Sequence, residues 1–191
     1  MKNIWLTLRP SLGWLAVAAV LVFPVLTLSG AVDIFLKLGD IAGESQDKTH
    51  KGEIDVLAWS WGMSNSGTTH LGSGAGAGKS SVQDLSITKW IDKSTPAIML
   101  QTLTGEHIKD ALLTVRKAGT TSVEFLKLEM KDILVTSVAT GGNSGEDRLT
   151  ETVSLNFGSF RLTYTPQNPD GSPGTPTSTV EWSIAGNAPK F

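Results

Sequence analysis

The chain has 191 residues, with 16 Lys and Arg against 18 Asp and Glu, and it contains no cysteine. Without cysteine there are no disulfides, no thiolate metal sites and no cysteine nucleophile. A formal charge of −2 suits nucleic acid poorly, because that partner demands clustered Lys and Arg.

Residues 1–31 differ from the rest. Lys2 and Arg9 form a positive leader, Leu12 to Leu28 is almost wholly apolar, and Ser29 and Ala31 place small residues before a cleavage point after Ala31. That layout predicts a secretory signal peptide. The apolar run contains Pro24 and is short beside the roughly 20 residues of a spanning helix. An uncleaved anchor and a wrongly assigned start codon are the alternatives, and a membrane contact is expected only through residues 1–31 if they are retained. Cleavage would leave residues 32–191 with 14 bases against 18 acids, a charge of about −4. A chain of that length buries a sizeable core without staples.

From Val32 the pattern has period two. Val32, Ile34, Leu36 and Leu38 share one face of a first strand. A polar loop follows from Gly39 to Gly52. Ile54 to Trp61 is a second strand, with Ile54 and Val56 on one face and Trp59 and Trp61 on the other. Two apolar faces predict that one is covered by a loop or by a neighbouring subunit. Gly62 to Ser80 holds six glycines and no hydrophobic period, which is long for an ordinary turn.

A third strand is expected near Val82 to Ile91. Ser94 is then a plausible helix cap, Pro96 sits at the first helical positions, and Gly105 closes one short helix. Strands follow at Lys109 to Lys117, at Val123 to Val138 with a bend, and at Leu149 to Phe157. After Gly158 the apolar positions change parity to Phe160, Leu162 and Tyr164, which predicts a β-bulge at that glycine. Pro166 to Pro176 reads as a loop, and Val180, Trp182 and Ile184 as a last strand. These elements predict a mainly β fold, a compact antiparallel β-barrel or sandwich of about 7–9 strands with one short flanking helix.

No chemistry-bearing constellation emerges. The run from Gly72 to Ser81 ends in Gly78-Lys79-Ser80, but the position that a phosphate loop requires to be glycine is Ser73. The three histidines, His50, His70 and His107, lack ligand partners at helical or strand spacing. No Gly-x-Ser-x-Gly elbow occurs, and no nucleophile–base pair has a recognisable spacing. No catalytic, cofactor-binding or metal-binding residue is expected.

Five ordered segments carry a resemblance: VDIFLKLGDIAGESQDKTH from Val32, EIDVLAWSWGMSNSG from Glu53, VQDLSITKWIDKSTP from Val82, LTVRKAG from Leu113 and GGNSGEDRLTETVSLNF from Gly141. Together they resemble the hemolysin-coregulated protein (Hcp) family, the tube protein of the bacterial type VI secretion system. The resemblance spans about Val32 to Ile184 and implies an Hcp-like tube-subunit domain over 32–191. It implies a structural protein, not an enzyme, that forms hexameric rings. The rings stack into a hollow tube inside a contractile sheath, a spike protein caps the tube, and contraction ejects both with effectors carried in the lumen. The segments expected to serve assembly are Asp40 to Lys51 and Met63 to Ser80. The resemblance implies, as for typical members, a chain without a signal peptide that leaves the cell through the apparatus, cytoplasmic before firing and extracellular after it. A working signal at residues 1–31 would instead imply periplasmic transit, and a separately exported periplasmic or surface binding module reusing the fold.

Overall fold

A computed structural model describes residues 32–66, 79–117, 122–176 and 178–191. The signal-like residues 1–31 and most of the glycine-rich segment lie outside the described residues. The period-two pattern becomes strands β1 (Val32–Leu38), β2 (Ile54–Ser60), β3 (Met63–Asn65), β4 (Ser80–Val82) and β5 (Leu85–Trp90). They are followed by helix α1 (Thr95–Thr104), then β6 (Ile108–Lys117), β7 (Val123–Gly141), β8 (Thr150–Tyr164) and β9 (Ser178–Ser183). The main sheet runs β5-β2-β1-β6-β7-β8-β9, and a further pairing of β5 with β8 closes six of these strands into an antiparallel barrel. Closure removes the free edges that an open sheet would present.

The closure depends on the length of β8. Its first half, Thr150 to Leu155, pairs with β5, whereas Ser159 to Tyr164 pairs with β9. β7 backs β8 throughout. The core holds Leu36, Leu38, Ile54, Leu85, Ile87, Leu113, Leu128, Ile133, Val153 and Leu155, all essentially sealed from solvent. These are the inward members of each alternation.

The parity change at Gly158 is real, but no bulge accompanies it. β7 and β8 keep one register from Lys131↔Ser159 to Ile133↔Phe157. The next two strands of the sheet, β7 and β6, instead change parity together with it. Ile108, Ile133 and Phe157 lie in register and point inward, and so do Ala111, Met130 and Phe160 three positions along. The skipped pairs are Lys109 with Asp110, Lys131 with Asp132, and Gly158 with Ser159. Asp132 adopts φ of +57°, and a side chain at Gly158 would press on that of Asp132. Three strands thus bend along one line, which conserves the pairing that a bulge would have offset. The offsets fall elsewhere, between Val56 and Ala58, between Val115 and Arg116, and between Val135 and Ser137.

The offset in β2 corrects the two-faced reading of that strand. Leu57 is the extra residue, and after it the inward set moves from even to odd numbers. Trp59 and Trp61 therefore pack against the same core as Ile54 and Val56, and Leu57 is the side chain turned out to solvent. The expected third strand is also divided. Its start, Ser80 to Val82, pairs with Met63 to Asn65 as a separate two-stranded ribbon. Gln83 N–H donates to the Gly62 carbonyl and Trp61 Nε1 donates to the Gln83 carbonyl, so the ribbon is fixed at its base.

Helix α1 begins and ends where expected, with Gly105 in the left-handed conformation that closes it. Ser94 stands at the N-cap position as expected, but its side chain makes no capping bond. That residue is already helical in backbone, and its hydroxyl donates to Asp92 Oδ1 at 2.5 Å. Asp92 Oδ1 also accepts the Ser94 amide. Asp92 thus organises the turn that Ser94 was expected to cap.

Candidate assembly surfaces

The polar segment Gly39 to Gly52 is tightly built. Its two limbs pair, with Gly43 N–H donating to the Gly52 carbonyl and Ser45 N–H to the Glu53 carbonyl. Only glycine fits at position 43, because a Cβ there would run into the Glu53 carbonyl group. Arg116 on β6 grips the loop with both terminal guanidinium nitrogens, at 3.0 and 2.6 Å from the two Asp47 carboxylate oxygens, and its Nη2 also donates to Asp33 at 2.8 Å. Such fork-to-fork bonding fixes orientation as well as distance.

Asp47 in turn accepts the amide and hydroxyl of Thr49 and the amide of His50. The Arg116 bonds outweigh the upward push of burial and, with the Thr49 and His50 donors, hold the Asp47 carboxyl well below the usual carboxylate range. A depressed carboxyl stabilises the fold fully above its unfolded value and loses that contribution as pH falls. Hydrogen exchange of the loop amides should therefore quicken, relative to intrinsic rates, once pH drops below about 4. Asp47→Asn is expected to show lower protection at neutral pH and a flatter acid profile.

The ribbon of β3 and β4 overhangs an apolar groove of about 370 Å³, lined by Met63, Val82, Phe160, Val180 and Trp182 together with Ser64, Asn65 and Ser80. Met63 is 54% exposed and Val180 46%. Ser80 donates from its amide and its hydroxyl to Asn187 Oδ1, which ties the ribbon to the chain end.

A third surface is the outer face of α1. The helix buries Thr95 and Ile98 and packs against β7, whereas Leu100 is 58% and Leu103 84% exposed, with Met99 beside them. The solvent face of the helix is thus apolar where an isolated surface helix would be polar.

One buried ionic cluster escaped the sequence reading. Lys89 continues the inward alternation of Leu85 and Ile87, and its side chain is fully buried. Its Nζ donates to Glu151 Oε1 at 2.7 Å, Asp92 Oδ1 at 2.8 Å and the Trp90 carbonyl at 2.7 Å. The Thr95 hydroxyl donates to the same Glu151 oxygen at 2.8 Å. Burial pushes the Asp92 carboxyl up, but Lys89 and Ser94 bring it below its ordinary value. The cluster joins the first turn of α1 to the closing seam of the barrel, where Lys89 and Glu151 are paired across β5 and β8. A charged residue at an inward position was the available signal.

Of the histidines, His50 is buried against Phe35, His107 meets Asp132 on the surface, and His70 lies outside the described residues. Among the described residues no group of His, Asp and Glu is arranged to hold a metal, and no helix is long and apolar enough to cross a membrane.

The fold is thus an antiparallel barrel whose distinctive features are outward apolar surfaces and a braced loop. Residues 35–164 match the family described as "Type VI secretion system effector, Hcp". The chain is 56% identical over 158 residues to the protein hcp1 of Pseudomonas aeruginosa, a match that covers 82% of this chain and 98% of that protein. Among solved structures it is similar to Hcp1 from Salmonella typhimurium, with 36% identity, a TM-score of 0.67 and coverage of 82% and 97% of the two chains. A structure described as that of a type six secretion system protein superposes with a TM-score of 0.79 at 28% identity, over 84% of this chain and 100% of the other. A type VI secretion system effector from Yersinia pestis gives 0.64 at 30% identity, over 79% and 99%. The chain belongs to the Hcp family of type VI secretion system proteins. As a member it is a secreted structural protein and not an enzyme.

Proposed function

We propose that residues 32–191 form a hexameric ring, and that such rings stack into a hollow tube. A contractile sheath ejects this tube behind a spike protein, and effectors travel in its lumen. The observation that carries the reading is the family match over the whole barrel, joined to apolar side chains exposed at separate places: Met63 and Val180 at the groove, and Leu100 and Leu103 on α1. A cyclic ring requires each subunit to offer two different patches, one to each neighbour. The polar loop, which carries Asp40 to Lys51, and the ribbon, which holds the described ends of the segment Met63 to Ser80, supply elements around those patches.

Sedimentation of residues 32–191 should give a hexamer. A strictly monomeric species from micromolar to sub-millimolar concentration would overturn the reading. The alternative, a separately exported binding module, is favoured only by the apolar segment Leu12 to Leu28. It requires export that survives loss of the contractile apparatus and a mature chain that starts at Val32.

A further inference from the structure

His50 occupies an unusual position in the braced loop. Its side chain is only 9% exposed, and its ring stacks flat on Phe35 with centroids 4.3 Å apart. Arg116 covers the same phenyl ring at 4.9 Å. Each ring nitrogen of His50 faces a carboxylate. Nδ1 lies 2.9 Å from Glu53 Oε2, where the loop runs into β2, and Nε2 lies 3.2 Å from Glu124 Oε1 on β7. Ionised carboxylates only accept hydrogen bonds, and a neutral imidazole has one N–H. A neutral ring would therefore turn a lone pair toward one of the two carboxylates, whereas the doubly protonated ring donates to both.

We propose that His50 is a proton-operated latch on the 39–52 loop, in which the doubly protonated ring ties Glu53 to Glu124 and loss of one proton releases one of the two ties. The latch acts within one chain and does not depend on ring formation. The charged groups around it are accounted for. Glu53 and Glu124 face the ring directly, and Lys127 bonds the far oxygen of Glu124 at 2.7 Å. Arg116, held by Asp33 and Asp47, lies by Phe35 rather than on the ring. Burial pushes the Glu124 carboxyl up, but Lys127 and then His50 bring it below its ordinary value, so it is ionised when the latch operates. Asp47 titrates far below the histidine range, which separates its acid effect from this one.

Histidine changes charge between about pH 5 and 8. The form that donates to both carboxylates carries the extra proton, so the latch holds the loop at the acid end of that range and releases it as pH rises. Hydrogen exchange on the full-length protein reads this through the amides of Gly43, Ser45 and Gly52, which bridge the two limbs. Their protection, corrected for intrinsic rates, should fall about tenfold from pH 5.5 to pH 8, in keeping with the loss of one hydrogen bond between charged groups. His50→Gln should give a flat profile. Glu124→Gln keeps the ring and its stacking, and its amide accepts from an N–H or donates to a lone pair. Protection in Glu124→Gln should therefore be flat with pH, and at pH 8 should equal or exceed that of the unaltered chain. A flat profile in the unaltered chain overturns the latch. So does an undiminished slope in Glu124→Gln.

Discussion

Lys89→Met should destabilise the protein by about 3–5 kcal/mol, the cost of leaving one member of a buried ion pair without its partner. Glu151 has a fully buried side chain, and apart from Lys89 its Oε1 keeps only the Thr95 hydroxyl. Its Oε2 has no hydrogen-bond partner among the described residues. Removing Lys89 therefore leaves a carboxylate charge with one donor in the barrel interior. The loss should reach α1 as well, because Lys89 also holds Asp92, which organises the turn before the helix. Amides of Thr95 to Thr104 should exchange faster in the variant. The double variant Lys89→Met with Glu151→Leu removes both charges together, and its stability should return to within about 1 kcal/mol of the unaltered chain or exceed it. Urea unfolding at one fixed protomer concentration measures these differences without a shift from assembly. A double variant that costs as much as the sum of the singles would show the pair to be uncoupled, and would sink the argument.

That cluster also marks where the sequence was legible and where it was not. The presence of β1 and β6 follows from alternation, since Leu36 and Leu38 on the one and Ala111, Leu113 and Val115 on the other are the buried members of period-two runs. The limits of α1 follow from Pro96 and Gly105, whose backbone preferences act locally. What was illegible depends on contacts distant in sequence. The bulge at Leu57 is set by pairing with β5, and without it Trp59 and Trp61 fall on the face opposite Ile54 and Val56. Within β8 alone the bend at Gly158 is only a change of parity, the same signature as a bulge. Its shared nature needs the registers of β6 and β7, which no single strand records. Asp47, His50 and Arg116 carry no local pattern. The loop's neighbours are fixed only when β6 and β7 close beside it, with Arg116 and Glu124 arriving from 69 and 74 residues away. The family was legible for a different reason, because five ordered motifs carry it without reference to any contact between them.

Phe160→Ala should cost about 3–5 kcal/mol, the range for a buried aromatic reduced to alanine. Phe160 is one of the inward residues on the bend line, in register with Met130 on β7 and Trp182 on β9. Its ring meets Trp61 edge-on at 4.7 Å and Phe157 at 6.2 Å, so the substitution removes packing on both sides of the bend. It also opens the interior toward the groove beneath the ribbon, since Phe160 lines that groove from within. Water entering from the groove relieves part of the cavity, which places the expected cost in the lower half of the range. A sealed position such as Leu113, 0% exposed, has no such relief. The same opening exposes Trp61, so its fluorescence should shift to the red in the folded variant before any denaturant is added. A cost below about 1 kcal/mol, with unchanged fluorescence, would show that the bend is held by backbone pairing alone and that the aromatic trio is incidental to it.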